Sequence, residues 1–196
     1  MRLTWMLVLL VACKGGAVNT EADAELAYTG LDDMIGKAMG LGFDGFNAAD
    51  SANIDEQAGT GDVSGTVAVN GQVDQGNSDN KNMRLTVALA EYSDTVLIND
   101  DEDELTVTYW TTEGSEPALD LTLRSIPDGT LEGTMSGSFD MEGDLEDTVT
   151  LELTLAGPLE ADDGDDDDAT RRVAGQTTIT GTATTSAGTF DVNLTR

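Results

Sequence analysis

Two hydrophobic periodicities divide this chain. Leu26, Met34, Ile35, Ala38, Met39 and Leu41 recur at helical spacing, and Thr20 with Asp23 supplies an N-cap and an acidic first turn. They predict one helix over 20–46. Gly30, Gly36, Gly40 and Gly42 each weaken it by up to about 1 kcal/mol relative to alanine, so it must be held by packing, with Phe43 and Phe46 as aromatic anchors at its end. The stretch 47–61 has the polarity of a loop.

From Asp62 onward the period falls from 3.6 to 2, the signature of strands with one apolar face. Val63, Val67, Val69 and Val73 alternate with polar or small residues, as do Met83, Leu85, Val87 and Leu89. The pattern continues through Leu105, Val107 and Tyr109; Leu119, Leu121 and Leu123; Leu131, Met135, Phe139 and Met141; Val149, Leu151, Leu153 and Leu155; Val173 and Ile179; and Phe190, Val192 and Leu194. Pro127-Asp128-Gly129, Glu142-Gly143-Asp144 and Ser186-Ala187-Gly188 carry hairpin-turn chemistry. Asn70-Gly71 is also a strong hairpin signal, but the valines on either side favour an unbroken strand with a bulge. No second long helical pattern supplies a parallel crossover, so the sheet is expected to be antiparallel.

The fold class read from this pattern is mainly β: an antiparallel meander of about eight strands over 62–196, curled into a half-barrel or barrel. One apolar sheet face needs a cover, and the N-terminal helix is the element available to pack on it.

Composition narrows the function classes. The chain has 196 residues, no histidine, one cysteine and a formal net charge of −29. Without histidine there is no Ser-His-Asp or Cys-His nucleophile pair and no His-ligated zinc. So strong a negative charge repels phosphates, which excludes nucleic acid as a partner, and no basic patch exists to hold an anionic lipid surface.

The N-terminus offers another route to a membrane. Arg2 precedes an apolar run from Leu3 to Ala12, too short for the ~20 residues that span a bilayer and of signal-peptide form. The run closes in Leu10-Val11-Ala12-Cys13, which resembles the lipobox of bacterial lipoproteins. The resemblance implies that residues 1–12 are removed and that Cys13 carries a thioether-linked diacylglycerol and an amide-linked acyl chain. Several acyl chains, at about 0.8 kcal/mol per buried methylene, anchor a protein durably. Residues 13–19 then form a small, polar, lipidated tether. In lipoproteins of this kind an aspartate straight after the cysteine often favours inner-membrane retention; Lys14 stands there instead, which implies an outer-membrane protein facing the periplasm or the cell surface. With Cys13 lipidated no cysteine is left for a disulfide, and the domain must be held by packing alone.

Three acidic clusters invite a metal reading: Glu160 to Asp168, Asp100 to Glu104, and Asp140 with Glu142, Asp144, Glu146 and Asp147. None has the spacing of a calcium-loop consensus, so they read as solvated loops that gather divalent cations weakly and without specificity. No nucleophile elbow, phosphate-binding glycine loop or Cys-x-x-Cys pair occurs, and no cofactor or enzymatic activity is expected. A membrane-spanning barrel is disfavoured by an aromatic content of 5%.

Two functions remain. In one, the concave face, lined by residues such as Leu85, Leu121, Met135 and Leu153, carries a lipid or other hydrophobic ligand beneath a movable helix, an architecture that resembles lipid-carrying lipoproteins of the lipoprotein-localisation type. In the other the helix fills that face, and the protein is a structural or interaction module of the cell envelope whose protein partner the sequence does not name. The second is favoured, because alternating leucines are more often packed than empty. An empty apolar cavity of about 300 Å³ or more beneath the helix discriminates between them.

Overall fold

The computed structural model describes residues 16–162 and 169–196; residues 1–15, with Cys13 among them, and residues 163–168 of the densest acidic run lie outside the described residues. The first described element is β1, Gly16–Ala17, followed by a single long helix, α1, Glu21–Ala48. Thr20 caps α1 as its sequence predicts. Its side chain accepts a hydrogen bond from the Asp23 amide at 3.1 Å, and the Asp23 carboxylate accepts one from the Thr20 amide at 3.0 Å, a reciprocal box that satisfies two otherwise orphaned donors.

The chain then runs as a meander. β2 (Asn53–Thr60), β3 (Ser64–Val73) and β4 (Lys81–Ser93) pair in sequence, followed by a small two-stranded excursion, β5 (Leu97–Ile98) with β6 (Glu104–Leu105). β7 (Val107–Trp110) and β8 (Ala118–Arg124) lie end to end in one lane between β4 and β9 (Thr130–Gly143), with the loop 111–117 leaving the sheet between them. β10 (Leu145–Ala161), β12 (Thr178–Thr184) and β13 (Thr189–Thr195) complete the order, and β11 (Thr170–Arg172) pairs with the far end of β10. All pairings in these lanes are antiparallel, with eight lanes from β2 to β13, matching the expected fold class. β2 and β13 do not pair with each other, so the sheet is an open half-barrel and α1 lies across the opening, against β2 and β3 on one side and β10, β12 and β13 on the other.

The three expected turns all fall between paired strands: Pro127-Asp128-Gly129 joins β8 to β9, Glu142-Gly143-Asp144 joins β9 to β10, and Ser186-Ala187-Gly188 joins β12 to β13. Asn70-Gly71 stays inside β3. Gly71 adopts a φ of +158° close against the Arg84 carbonyl, where a side chain has no room, and the register irregularity lies opposite it on β2, between Ile54 and Gln57.

Three expectations need correction. Residues 47–61 are not a loop throughout, because 53–60 form β2. That strand escapes the alternation test because only Ile54 of its eight residues is buried; at the edge of the sheet its other side chains face water. Nor do all of residues 13–19 serve as a free tether. Gly16 and Ala17 pair in parallel with Leu145 and Glu146, the Gly16 amide donates to the Asp144 carbonyl at 3.0 Å, and Val18 is buried. Backbone pairing of two small residues leaves no side-chain pattern to read. Val173 and Val63, finally, lie outside the strands, Val173 at the turn between β11 and β12 and Val63 just before β3, where it is 49% exposed rather than on the apolar face.

One core runs through the molecule, built from the alternating faces of β3, β4 and β7 to β10 and from Leu31, Met34, Ile35, Ala38, Met39 and Phe43 of α1. No helix among the described residues is long and apolar enough to cross a membrane.

Candidate functional site

The feature on which function turns is the concave face and what fills it. Leu85, Leu121, Met135 and Leu153 all point into the core, and the most exposed of them, Leu153, keeps only 3% of its surface accessible. The chain's own helix occupies the space. It approaches closely because glycines stand where its underside meets the sheet. A Cβ on Gly42 would lie 2.7 Å from Leu85 Cδ1, and one on Gly45 would lie 2.5 Å from Ile54 Cγ2. The glycines that weaken the isolated helix are thus what allows it to dock. At the outer edge Tyr28 of α1 packs on Phe190 of β13 with ring centroids 5.8 Å apart, and burial pushes the Tyr28 phenol up to about 12.

A polar knot fastens the helix to the sheet at mid-length. Lys37 Nζ donates to Asp94 Oδ1 at 2.6 Å, to Asp62 Oδ1 at 2.7 Å and to the Thr60 carbonyl at 3.1 Å. Asp94, whose side chain is 2% exposed, also accepts from the Asp62 amide at 2.9 Å and from the Tyr92 hydroxyl. Burial alone would push the Asp94 carboxyl up, but its hydrogen bonds from Lys37, Tyr92 and the Asp62 amide together hold it below the ordinary carboxylate value. Partial burial pulls Lys37 down, and the two carboxylates outweigh it, so the lysine is raised. Tyr92 is raised as well, first by burial and then by the adjacent carboxylate. The group can hold a helix in place: the Lys37 ammonium and both oxygens of the buried Asp94 carboxylate are engaged within the chain, and the second oxygen of the exposed Asp62 faces water.

Four clefts lie around the rim. One of about 380 Å³ sits at the C-terminal end of α1 between Phe46, Val73, Asp74, Asn77, Asp79 and Ile126. Another of about 480 Å³ lies beside the helix N-terminus, between Thr20, Asp23, Leu26, Ile98 and Asp100. A third, about 290 Å³, runs between Gly40, Phe43, Asp44 and the two arginines of β11, and the fourth, about 110 Å³, flanks Ala48 and Asp55. All four open to solvent, and none is lined by Leu85, Leu121, Met135 or Leu153.

Two of the acidic clusters lie wholly within the described residues, one in the loop between β5 and β6 and one at the β9–β10 hairpin. Between β5 and β6 the Asn99 side chain accepts from the Asp101 and Asp103 amides, and the carboxylates point into water. In the β9–β10 cluster Asp144 accepts from the Thr106 amide, Asp140 from Thr112 and Thr148, and Asp147 from Ser186. Among the described residues no three carboxylates converge as a cage for a metal ion. Cys13, the predicted lipidation site, lies outside the described residues.

Of the groups sequence reasoning passes over, the Lys37 knot is the most consequential. One signal was available: Lys37 is the only basic residue of α1, placed among apolar positions. Its partners, 25 and 57 residues away, leave no local trace. Comparison of the chain with protein-family models, with curated proteins and with solved structures finds no match in any of the three.

Proposed function

We propose that this chain is a lipid-anchored protein of the bacterial cell envelope, attached through Cys13 to the outer membrane, and that its β domain is a non-enzymatic structural or interaction module. The anchor reading rests on the lipobox Leu10 to Cys13. The observation that carries the choice of module over ligand carrier is the occupancy of the concave face: α1 fills it, and the residues that would line a ligand cavity are packed against their own chain. Releasing α1 to admit a ligand would expose that core to water and break the Lys37–Asp94 ion pair.

Native mass spectrometry of the protein purified from its own membrane tests this reading. The expected species is the chain from Cys13 onward with its acyl groups and no stoichiometric lipid ligand. A second, non-covalent lipid at one copy per chain overturns it in favour of a carrier.

A further inference from the structure

The sheet begins almost at the anchor. Gly16 and Ala17 are paired with β10 and Val18 is buried, so only Lys14 and Gly15 separate Cys13 from the folded domain. Three residues of fully extended chain reach at most about 10 Å. The end of the half-barrel that holds β1 is therefore bound to lie close to any bilayer into which Cys13 is anchored.

That end has a distinct surface. It gathers the β9–β10 corner, the loop between β5 and β6, and the first turns of α1: the Thr106 amide donates to Asp144 Oδ2 at 2.8 Å, and Thr20 and Asp23 share a cleft with Ile98 and Asp100. No lysine or arginine occurs in residues 16–29, 94–109 or 138–150, whereas Glu21, Glu25, Asp100 to Glu104, Glu142, Asp144 and Glu146 are exposed there. Lys14, in the connection, is the one cation nearby in sequence. Val96 and Ile98, two of the three large apolar side chains that the described residues leave exposed, lie on the segment leading into the same loop.

We infer that this end of the domain is a membrane-apposed face: it rests on the headgroup layer of an electrically neutral bilayer, with Ile98 at the interface, and is lifted away by anionic lipid. The inference rests on the lipid-anchor reading of Cys13 and adds an orientation and a lipid preference to it. Carboxylates within a Debye length of anionic headgroups are repelled, about 10 Å at 0.1 M salt and 3 Å at 1 M, so salt restores the contact.

The test uses the full lipidated chain in vesicles, with acylation checked by intact mass and attachment by co-flotation. On zwitterionic phosphatidylcholine vesicles, amide hydrogen exchange in 98–106 and 142–147 is expected to slow several-fold relative to the unlipidated C13S protein mixed with the same vesicles. Exchange in 74–80, at the opposite end, stays unchanged. Mixing in phosphatidylglycerol at low salt removes the protection, and about 1 M sodium chloride returns it. Ten Gly/Ser residues inserted between Gly15 and Gly16 abolish it while the chain still floats. Equal protection at both ends, or none in a chain that carries its acyl mass and floats, overturns this inference alone; a chain without acyl mass overturns it together with the anchor reading.

Discussion

The phenol of Tyr109 lies under α1 where the helix has no side chain to obstruct it, beneath Gly30, with its hydroxyl donating to the Ala27 carbonyl at 3.0 Å. A Cβ on Gly30 would lie 2.8 Å from both Cε2 and Cζ of the ring. Tyr109 is fully buried, which raises its phenol above the ordinary value. The ring and the glycine act as one device, a sheet residue that indexes the helix along its axis.

G30A is accordingly expected to destabilise the domain by about 1–3 kcal/mol through overpacking, although alanine is the better helix former by up to about 1 kcal/mol. Y109F keeps the ring and loses only the hydrogen bond, about 1 kcal/mol. Urea denaturation of a soluble form lacking the leader checks both, and a G30A protein as stable as its parent would show that the helix is free to shift over the sheet.

Removing Lys37 leaves the Asp94 carboxylate, 2% exposed, without its cation, whereas removing Asp94 leaves the partly exposed Lys37 still paired with Asp62 at 2.7 Å. K37M should cost about 3 kcal/mol or more and D94A less, and the double variant should cost less than the sum, with the coupling energy read from a double-mutant cycle. Strict additivity would mean that the pair contributes nothing beyond its separate contacts.

The pH dependence of that pair has a definite sign. Asp94 is depressed in the folded state, so its contribution is present above the unfolded carboxylate value near 3.9 and is lost as pH falls through the lower folded value. Lys37 is raised, so its contribution is complete below about pH 10.4 and fades as pH climbs past the folded value. Stability measured below pH 4 should fall less steeply in D94N than in the parent. Parallel acid limbs would remove Asp94 from the account.

A C13S chain is expected in the soluble fraction, without acyl mass at its N-terminus, while the parent stays with the membrane. Cell fractionation followed by intact-mass measurement decides it, and continued membrane retention of C13S would refute lipid anchoring through this residue.

With a net charge of −29, carboxylates repel one another more in the compact state than in the unfolded chain. Monovalent salt should therefore raise the melting temperature, and calcium should do no more than magnesium at equal ionic strength. A calcium-specific rise would point to a bound ion.

How far the sequence could be read depended on which forces left a periodic record. β4, β9 and β10 were legible because each turns large apolar side chains at alternating positions toward one core, with only glycines interrupting the run in β9, and α1 because Thr20 and Asp23 announce its start. β2 was not, since an edge strand exposed on most of its length has only Ile54 to bury. β1 was not, because Gly16 and Ala17 are held by their backbone. The lane shared by β7 and β8 reads as two separate strands along the chain, and only the pairing to β4 and β9 places them end to end. The Lys37 knot depends on three distant segments meeting, a fact of tertiary geometry that no local pattern encodes.

The polar character of β2 governs how copies of this protein behave as neighbours. An open half-barrel has two edges whose free amides and carbonyls invite a further strand. β2 meets that hazard with Asp55 and Glu56 at the irregularity between Ile54 and Gln57, which breaks the straight run of hydrogen-bonding groups that a docking strand would need. A leucine-rich edge would have been easier to find in the sequence and would have zipped neighbouring molecules into a continuous sheet.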